Sequence, residues 1–355
     1  MRTANLSLPS LALACAALCF AAGCGSGLSR SSSSGDSSDG GTQTQSPAQT
    51  FVAENPETGT IYLLVPGTNA TIHEYDAAGA NDQSHFSTGL TSAHAIAVDG
   101  TTGFVFVSHD GSPGVSAFDP NHGGAAAAKP FGPSGAGVLG AAAGNVCAAG
   151  GGSTTVSCLT DAGNAATPLD LVTGSSATSV AMIPQGGMGV AWAFAYTASD
   201  ATVHQFALPG GAGRNVMLPL APDAATASPS PHPIAALGND PYTSAGITVA
   251  VTGLSGDGAG TPTVVLIDGT TLTFGKAPLP GAVSLLAADP THHGFVAAYE
   301  DTAAKLTRFV SISNANGPVA LSSTTNAAAT SMVISSDGNR IILGGGPSPV
   351  VLDNK

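Results

Sequence analysis

The stretch from Ala95 to Asp119 reads A-I-A-V-D-G-T-T-G-F-V-F-V-S-H-D-G-S-P-G-V-S-A-F-D. It holds three apolar runs: Ile96 to Val98, Phe104 to Val107 and Val115 to Phe118. Asp99-Gly100 and Asp110-Gly111 are turn dipeptides between them. Each run is too short for a helix and is rich in β-branched or aromatic residues, so the pattern predicts three antiparallel strands.

The same unit returns along the chain. Its third strand, written β-branched, x, x, apolar, Asp, occurs at Ile72–Asp76, Val115–Asp119, Val264–Asp268 and, shortened, at Val350–Asp353. Weaker copies at Val156–Leu159, Val203–Phe206 and Leu306–Ile312 bring the total to seven. The first strand recurs at Phe51–Ala53, Ile96–Val98, Val138–Gly140, Val180–Met182, Ile234–Ala236, Leu285–Ala287 and Met332–Ile334. The turns Asn55–Gly59, Asp99–Gly103, Asp289–Gly294 and Ser336–Asn339 share one slot. Copies are spaced by roughly 41 to 55 residues, the size of a four-stranded propeller blade. The expected fold is all-β: a seven-bladed β-propeller of four-stranded antiparallel blades over residues 50–355, preceded by a signal peptide and a disordered linker. Seven regular repeats argue against the runner-up, a two-sheet sandwich.

With these repeats the chain resembles the YVTN and NHL-like families of seven-bladed propellers. Ile61–Val65, Phe104–Ser108 and Arg340–Gly344 stand where those families carry their central strand. The resemblance spans about residues 50–355 and implies architecture more strongly than activity. The last blade ends early, since only Asn354 and Lys355 follow Asp353. An open ring would leave unpaired edges, so Thr42 to Ala48 are expected to supply its fourth strand.

The amino-terminus carries an address. Residues 1–23 begin with Met1-Arg2, continue with an apolar stretch from Leu6 to Ala22 and close on Ala21-Ala22-Gly23-Cys24. The close resembles the lipobox of bacterial lipoproteins, which implies a lipidated (palmitate-bearing) Cys24 as mature first residue. Gly25 rather than Asp follows, so a signal for inner-membrane retention of the enterobacterial kind is lacking. The expected location is the bacterial cell envelope, on the periplasmic side and at the outer membrane. Residues 24–49 read as a Ser/Gly-rich tether with nothing to bury. The chain has 9 Lys and Arg against 22 Asp and Glu, a formal net charge of −13. That acidity excludes nucleic acid and any electrostatic hold on an anionic membrane. Membrane contact is therefore expected from the lipid alone, and the chain is expected to be a monomer.

Few residues offer chemistry. Cys15, Cys19 and Cys24 belong to the export segment. Cys147 and Cys158 lie on neighbouring strands of the third blade, and an oxidising compartment makes a cross-strand disulfide the natural expectation. Gly135-Ala136-Gly137-Val138-Leu139-Gly140 matches G-x-G-x-x-G, with Asp161 at about the dinucleotide-binding distance, yet it opens a strand where the motif requires a helix. Ser108-His109-Asp110 spells a triad, but adjacent side chains on a strand point apart. His292-His293 reads as a solvated turn, and no C-x-x-C-H for haem occurs.

One constellation remains. His94 and His232 each stand two residues before the apolar core of a first strand. The register puts Thr50, Thr178, Ser284 and Thr330 at the same position of four other blades, near one mouth of the axial channel. Such a ring suits a small polar ligand. Two His without a carboxylate in register make a poor metal cage, so no metal, cofactor or catalytic residue is assigned. These features lead to a non-catalytic, lipid-anchored binding or scaffolding module for a protein, peptide or glycan. The alternative, implied by similar propellers, is a lactonase- or lyase-like enzyme acting on a small exported metabolite at the channel. It would want Arg, His and carboxylates converging there, yet Arg214, Arg308 and Arg340 align with no His of the ring.

Overall fold

A strand buried on both faces reads as a continuous apolar run rather than an alternating one. Ile61–Val65 is such a run, buried over its first four residues, and Val105–His109 is buried throughout. Each is the second strand of a blade wedged between two others. The computed structural model describes residues 49–355 except 161–167, 188, 198, 219–233, 239–246, 256–261, 270–273 and 314–316. Residues 1–48, with the export segment, Cys24, the tether and the segment expected to complete the last blade, lie outside that range, as does His232.

The blades follow in chain order. Blade 1 is β1 (Phe51–Glu54), β2 (Ile61–Val65), β3 (Thr71–Tyr75) and β4 (Asp82–Ser87). Blade 2 is β5 (Ala93–Val98), β6 (Val105–His109), β7 (Val115–Asp119) and β8 (Ala125–Phe131). Blade 3 is β9 (Ala136–Ala142), β10 (Asn145–Gly150), β11 (Thr155–Leu159) and β12 (Leu169–Val172). Blade 4 is β13 (Ser179–Gly187), β14 (Val190–Thr197), β15 (Thr202–Leu208) and β16 (Ala212–Met217). Blade 5 is β17 (Ile234–Gly238), β18 (Ile247–Ser255), β19 (Pro262–Asp268) and β20 (Phe274–Pro278). Blade 6 is β21 (Val283–Asp289), β22 (Gly294–Asp301), β23 (Leu306–Ser313) and β24 (Gly317–Thr325). Blade 7 is β25 (Ser331–Ile334), β26 (Arg340–Gly344) and β27 (Val350–Asp353). Every sheet is an antiparallel meander, four-stranded in blades 1 to 6 and three-stranded among the described residues of blade 7. The G-x-G-x-x-G stretch lies at and within β9. A single 3-10 turn, Pro120–His122, is the helical element among the described residues.

The core is divided rather than central. Seven apolar clusters each fill the space between two successive blades. Phe106 of blade 2 meets Val146 and Leu159 of blade 3 in one of them. The seventh joins Ile342 of blade 7 to Val52, Ile61, Leu63 and Tyr75 of blade 1. Each inner strand packs on the next, and β25 returns to β1. The ring is therefore closed, and the molecule is a seven-bladed propeller.

Local chemistry explains the recurring strand-end Asp. Asp76 accepts the N–H groups of Ala78 and Ala80 at 3.1 and 3.0 Å, and Asp119 accepts that of Asn121 at 2.9 Å. These Asx turns redirect the chain after the third strand. In blade 3, Cys147 and Cys158 are direct cross-strand partners joined by a disulfide, with Cα atoms 4.0 Å apart.

Candidate functional site

The inner strands run from one rim of the axis to the other, so each rim collects a different set of residues. The first rim takes the strand starts, where the sequence places Thr50, His94, Thr178, Ser284 and Thr330. Their hydroxyls are committed to backbone. Thr50 Oγ1 donates to the Gly346 carbonyl at 2.7 Å, Thr178 Oγ1 to Tyr196 and Ser284 Oγ to Ala298 at 3.3 Å each, and Thr330 Oγ1 to the Thr50 carbonyl. A hydroxyl has one proton to donate, so each of the four acts first as a strand-end tie. His94 differs. It sits at a bulge in the pairing of β5 with β6 and meets Asp110 at 2.6 Å from its Nε2.

That carboxylate is the partner which register alone did not supply, since it comes from the β6–β7 hairpin rather than from an inner strand. The His94 hydrogen bond holds the Asp110 carboxyl below the usual carboxylate range. Beside it, His109 Nδ1 accepts the Gly111 N–H at 3.0 Å, and its Nε2 lies 3.0 Å from Ser116 Oγ. Burial lowers the His109 pKa. His109 and Asp110 thus bond to different partners, Ser108 Oγ is buried without a hydrogen bond, and no proton relay joins the three.

The second rim takes the strand ends and opens into a cavity of ≈ 390 Å³. All seven inner strands line it, among them Val98, Met182, Ala236, Ala288 and Ile334. A contiguous cavity of ≈ 400 Å³ extends over the turns at Pro56 and Gly100 and along the strand ends at Pro184 and Gly238. None of the five described strand-start residues borders either cavity. The lining is apolar except for Glu54, Glu57, Thr101 and Ser336. Glu54 closes β1 and accepts the Ser336 N–H at 2.8 Å. Burial pushes its carboxyl up to about 7, against the lowering pull of that hydrogen bond and of Arg340.

Sequence reasoning passed over Glu54, although its place directly after the first apolar run marks it as an inner-strand end. His73 falls inside the third-strand copy Ile72–Asp76. His73 faces His85 across the β3–β4 pair, and Asp82 joins them on the outer part of blade 1. The three arginines of the propeller line neither cavity. Arg214 Nε donates to Gln205 at 2.7 Å on the β15–β16 pair, Arg308 Nε to Asp301 at 2.7 Å on β22–β23, and Arg340 reaches Asp337 and the Ala77 carbonyl at the seam.

No family model matches the chain, and no curated protein matches it in sequence. Solved structures do match in shape. A chain of the hydrazine synthase of Kuenenia stuttgartiensis superposes with a TM-score of 0.62 at 13% identity, covering 90% of this chain and 99% of that one. A structure of U3-55K gives 0.61 at 10% identity, with 88% and 96% covered. The WD40 repeats of RRP9 give 0.60 at 10% identity, with 87% and 99% covered. At such identities the likeness is one of fold, and the fold this chain shares with them is the β-propeller.

Proposed function

We propose that this chain is a non-catalytic β-propeller binding or scaffolding module, carried on a lipid anchor at Cys24 and exposed in the bacterial cell envelope. The observation that carries the reading is the character of the axial cavity. It is apolar, and among the described residues its charged lining is two glutamates, with Arg340 near Glu54 but outside the wall. A wall of alkyl groups and backbone suits packing against a partner; acid–base chemistry needs convergent titratable groups. The propeller fold, shared with the WD40 repeats of RRP9, is compatible with this reading, as are the repeats that resemble the YVTN and NHL-like families. A protein, peptide or glycan segment with an apolar tip fits the second rim better than an anionic metabolite, given the formal net charge of −13.

The reading has a direct test. The full chain expressed in a bacterial host should fractionate with membranes and incorporate labelled palmitate, and C24A should release it to the soluble fraction. The catalytic alternative rests on Glu54, whose carboxyl titrates near neutrality as a general base would. Turnover of a lactone by the wild type that is lost in E54Q would replace the binding module with that enzyme.

A further inference from the structure

We propose that His73, Asp82 and His85 form a binding site for a divalent transition-metal cation, such as Zn2+, on the outer strands of blade 1. The site follows from register. His73 on β3 and His85 on β4 are direct partners, so their side chains leave the same face of the sheet. Their rings stack with centroids 5.3 Å apart and planes 22° apart.

Asp82 would ordinarily point to the other face, being three residues from His85. A bulge intervenes: Glu74 pairs with Ser84, but Tyr75 pairs with Asp82. The extra residue is Gln83, and the slip returns Asp82 to the histidine face. Asp82 Oδ2 lies 2.9 Å from His73 Nδ1, and one donor atom from each of the three residues falls within 4.8 Å of the others.

Two imidazoles and a carboxylate are a donor set for a borderline cation. Tetrahedral zinc, with ligand bonds of about 2.0–2.2 Å, needs donors about 3.3 Å apart. The His73–Asp82 pair is already that close, and exposed side chains can close the remaining gap of about 1.5 Å. Imidazole favours Zn2+, Cu2+ and Ni2+ over Mg2+ and Ca2+, which prefer oxygen. The side chains of His73 and Asp82 are 26% and 41% exposed, so a cation reaches them from solvent. The other His–carboxylate pairs among the described residues, at His94–Asp110, His122–Asp119 and His292–Asp289, belong to no comparable three-donor group.

Calorimetric titration of ZnCl2 into the purified protein tests the site, with any free cysteine thiols alkylated beforehand. One equivalent should bind, with a rise of several degrees in melting temperature. H85A and D82N should each weaken zinc by at least about tenfold, while their metal-free melting temperatures stay at the wild-type value. H122A should bind as the wild type does. No zinc uptake by the wild type, or full uptake by both H85A and D82N, would overturn the site. Calcium binding as tight as zinc would remove the histidines from it and overturn the proposal as well.

Discussion

Thr50 and Gly345 hold the ring shut. The Thr50 hydroxyl oxygen accepts the buried Gly345 N–H at 2.8 Å while donating its own proton to Gly346 at 2.7 Å. Thr50 and Gly345 are buried, so the Gly345 N–H has no water as a substitute, while Gly346 is half-buried. Gly345 sits at φ +139°, a region that favours glycine, and a Cβ there would strike the Ala328 carbonyl at 2.0 Å. Around this point Val52 N donates to Ser331 Oγ at 2.8 Å. T50V keeps the shape and removes both bonds. It should cost about 1–3 kcal/mol in denaturant unfolding, the penalty of orphaned buried groups. A change inside about 0.5 kcal/mol would show that apolar packing alone closes the ring.

Glu54 ties stability to pH. Its ordinary value is 4.5, and in the folded protein burial raises it to about 7. Between those values the folded state keeps a proton that the unfolded chain has released. Stability therefore falls as pH rises through that window. E54Q retains an acceptor for the Ser336 N–H and removes the charge. It should match the wild type at pH 4.5 and exceed it at pH 8 by on the order of 1 kcal/mol, after allowance for partial exposure. Parallel pH profiles for the two proteins would locate the titration elsewhere.

The fold was legible because its signals are local. Apolar runs of strand length, Asp-Gly turns and the Asp after the third strand repeat at blade spacing, and each has a short-range cause. The site was legible only as far as register reaches. Register put Thr50 and His94 at equivalent strand starts, but not the seam that consumes the Thr50 hydroxyl, because Gly345 and Gly346 are almost the whole chain away. Nor did it put Asp110 beside His94, since a hairpin's reach depends on its turn geometry. His73 and His85 became partners only through a pairing with a one-residue bulge, and no residue type near Gln83 announces a bulge.

Asp99 couples blades through a turn. It is 0% exposed, accepts Thr102 N and Oγ1 at 2.9 and 2.8 Å within its own turn, and accepts Gly144 N at 2.9 Å from blade 3. D99A leaves three donors without that acceptor and should cost about 3 kcal/mol. D99N, which keeps an oxygen, should cost less. Equal losses in the two variants would place the effect in the charge rather than in the hydrogen bonds.

The Cys147–Cys158 disulfide makes the final prediction. Both residues are 0% exposed and belong to the cluster that packs blade 3 on blade 4, beside Leu171 and Phe206. The bond spans a sequence separation of 11, so its effect through the unfolded chain is a short loop's, about 3 kcal/mol. The first two strands of blade 3 carry Ala141, Ala142, Ala148 and Ala149, small side chains that bury little apolar area. Reductant should lower the unfolding midpoint of the wild type and leave a Cys147→Ala, Cys158→Ala variant unchanged. The variant should start from a lower midpoint than the oxidised protein. Complete alkylation of Cys147 and Cys158 in the denatured protein without reductant would contradict the bond. An unchanged midpoint on reduction would show that apolar packing between blades 3 and 4 holds the hairpin without it.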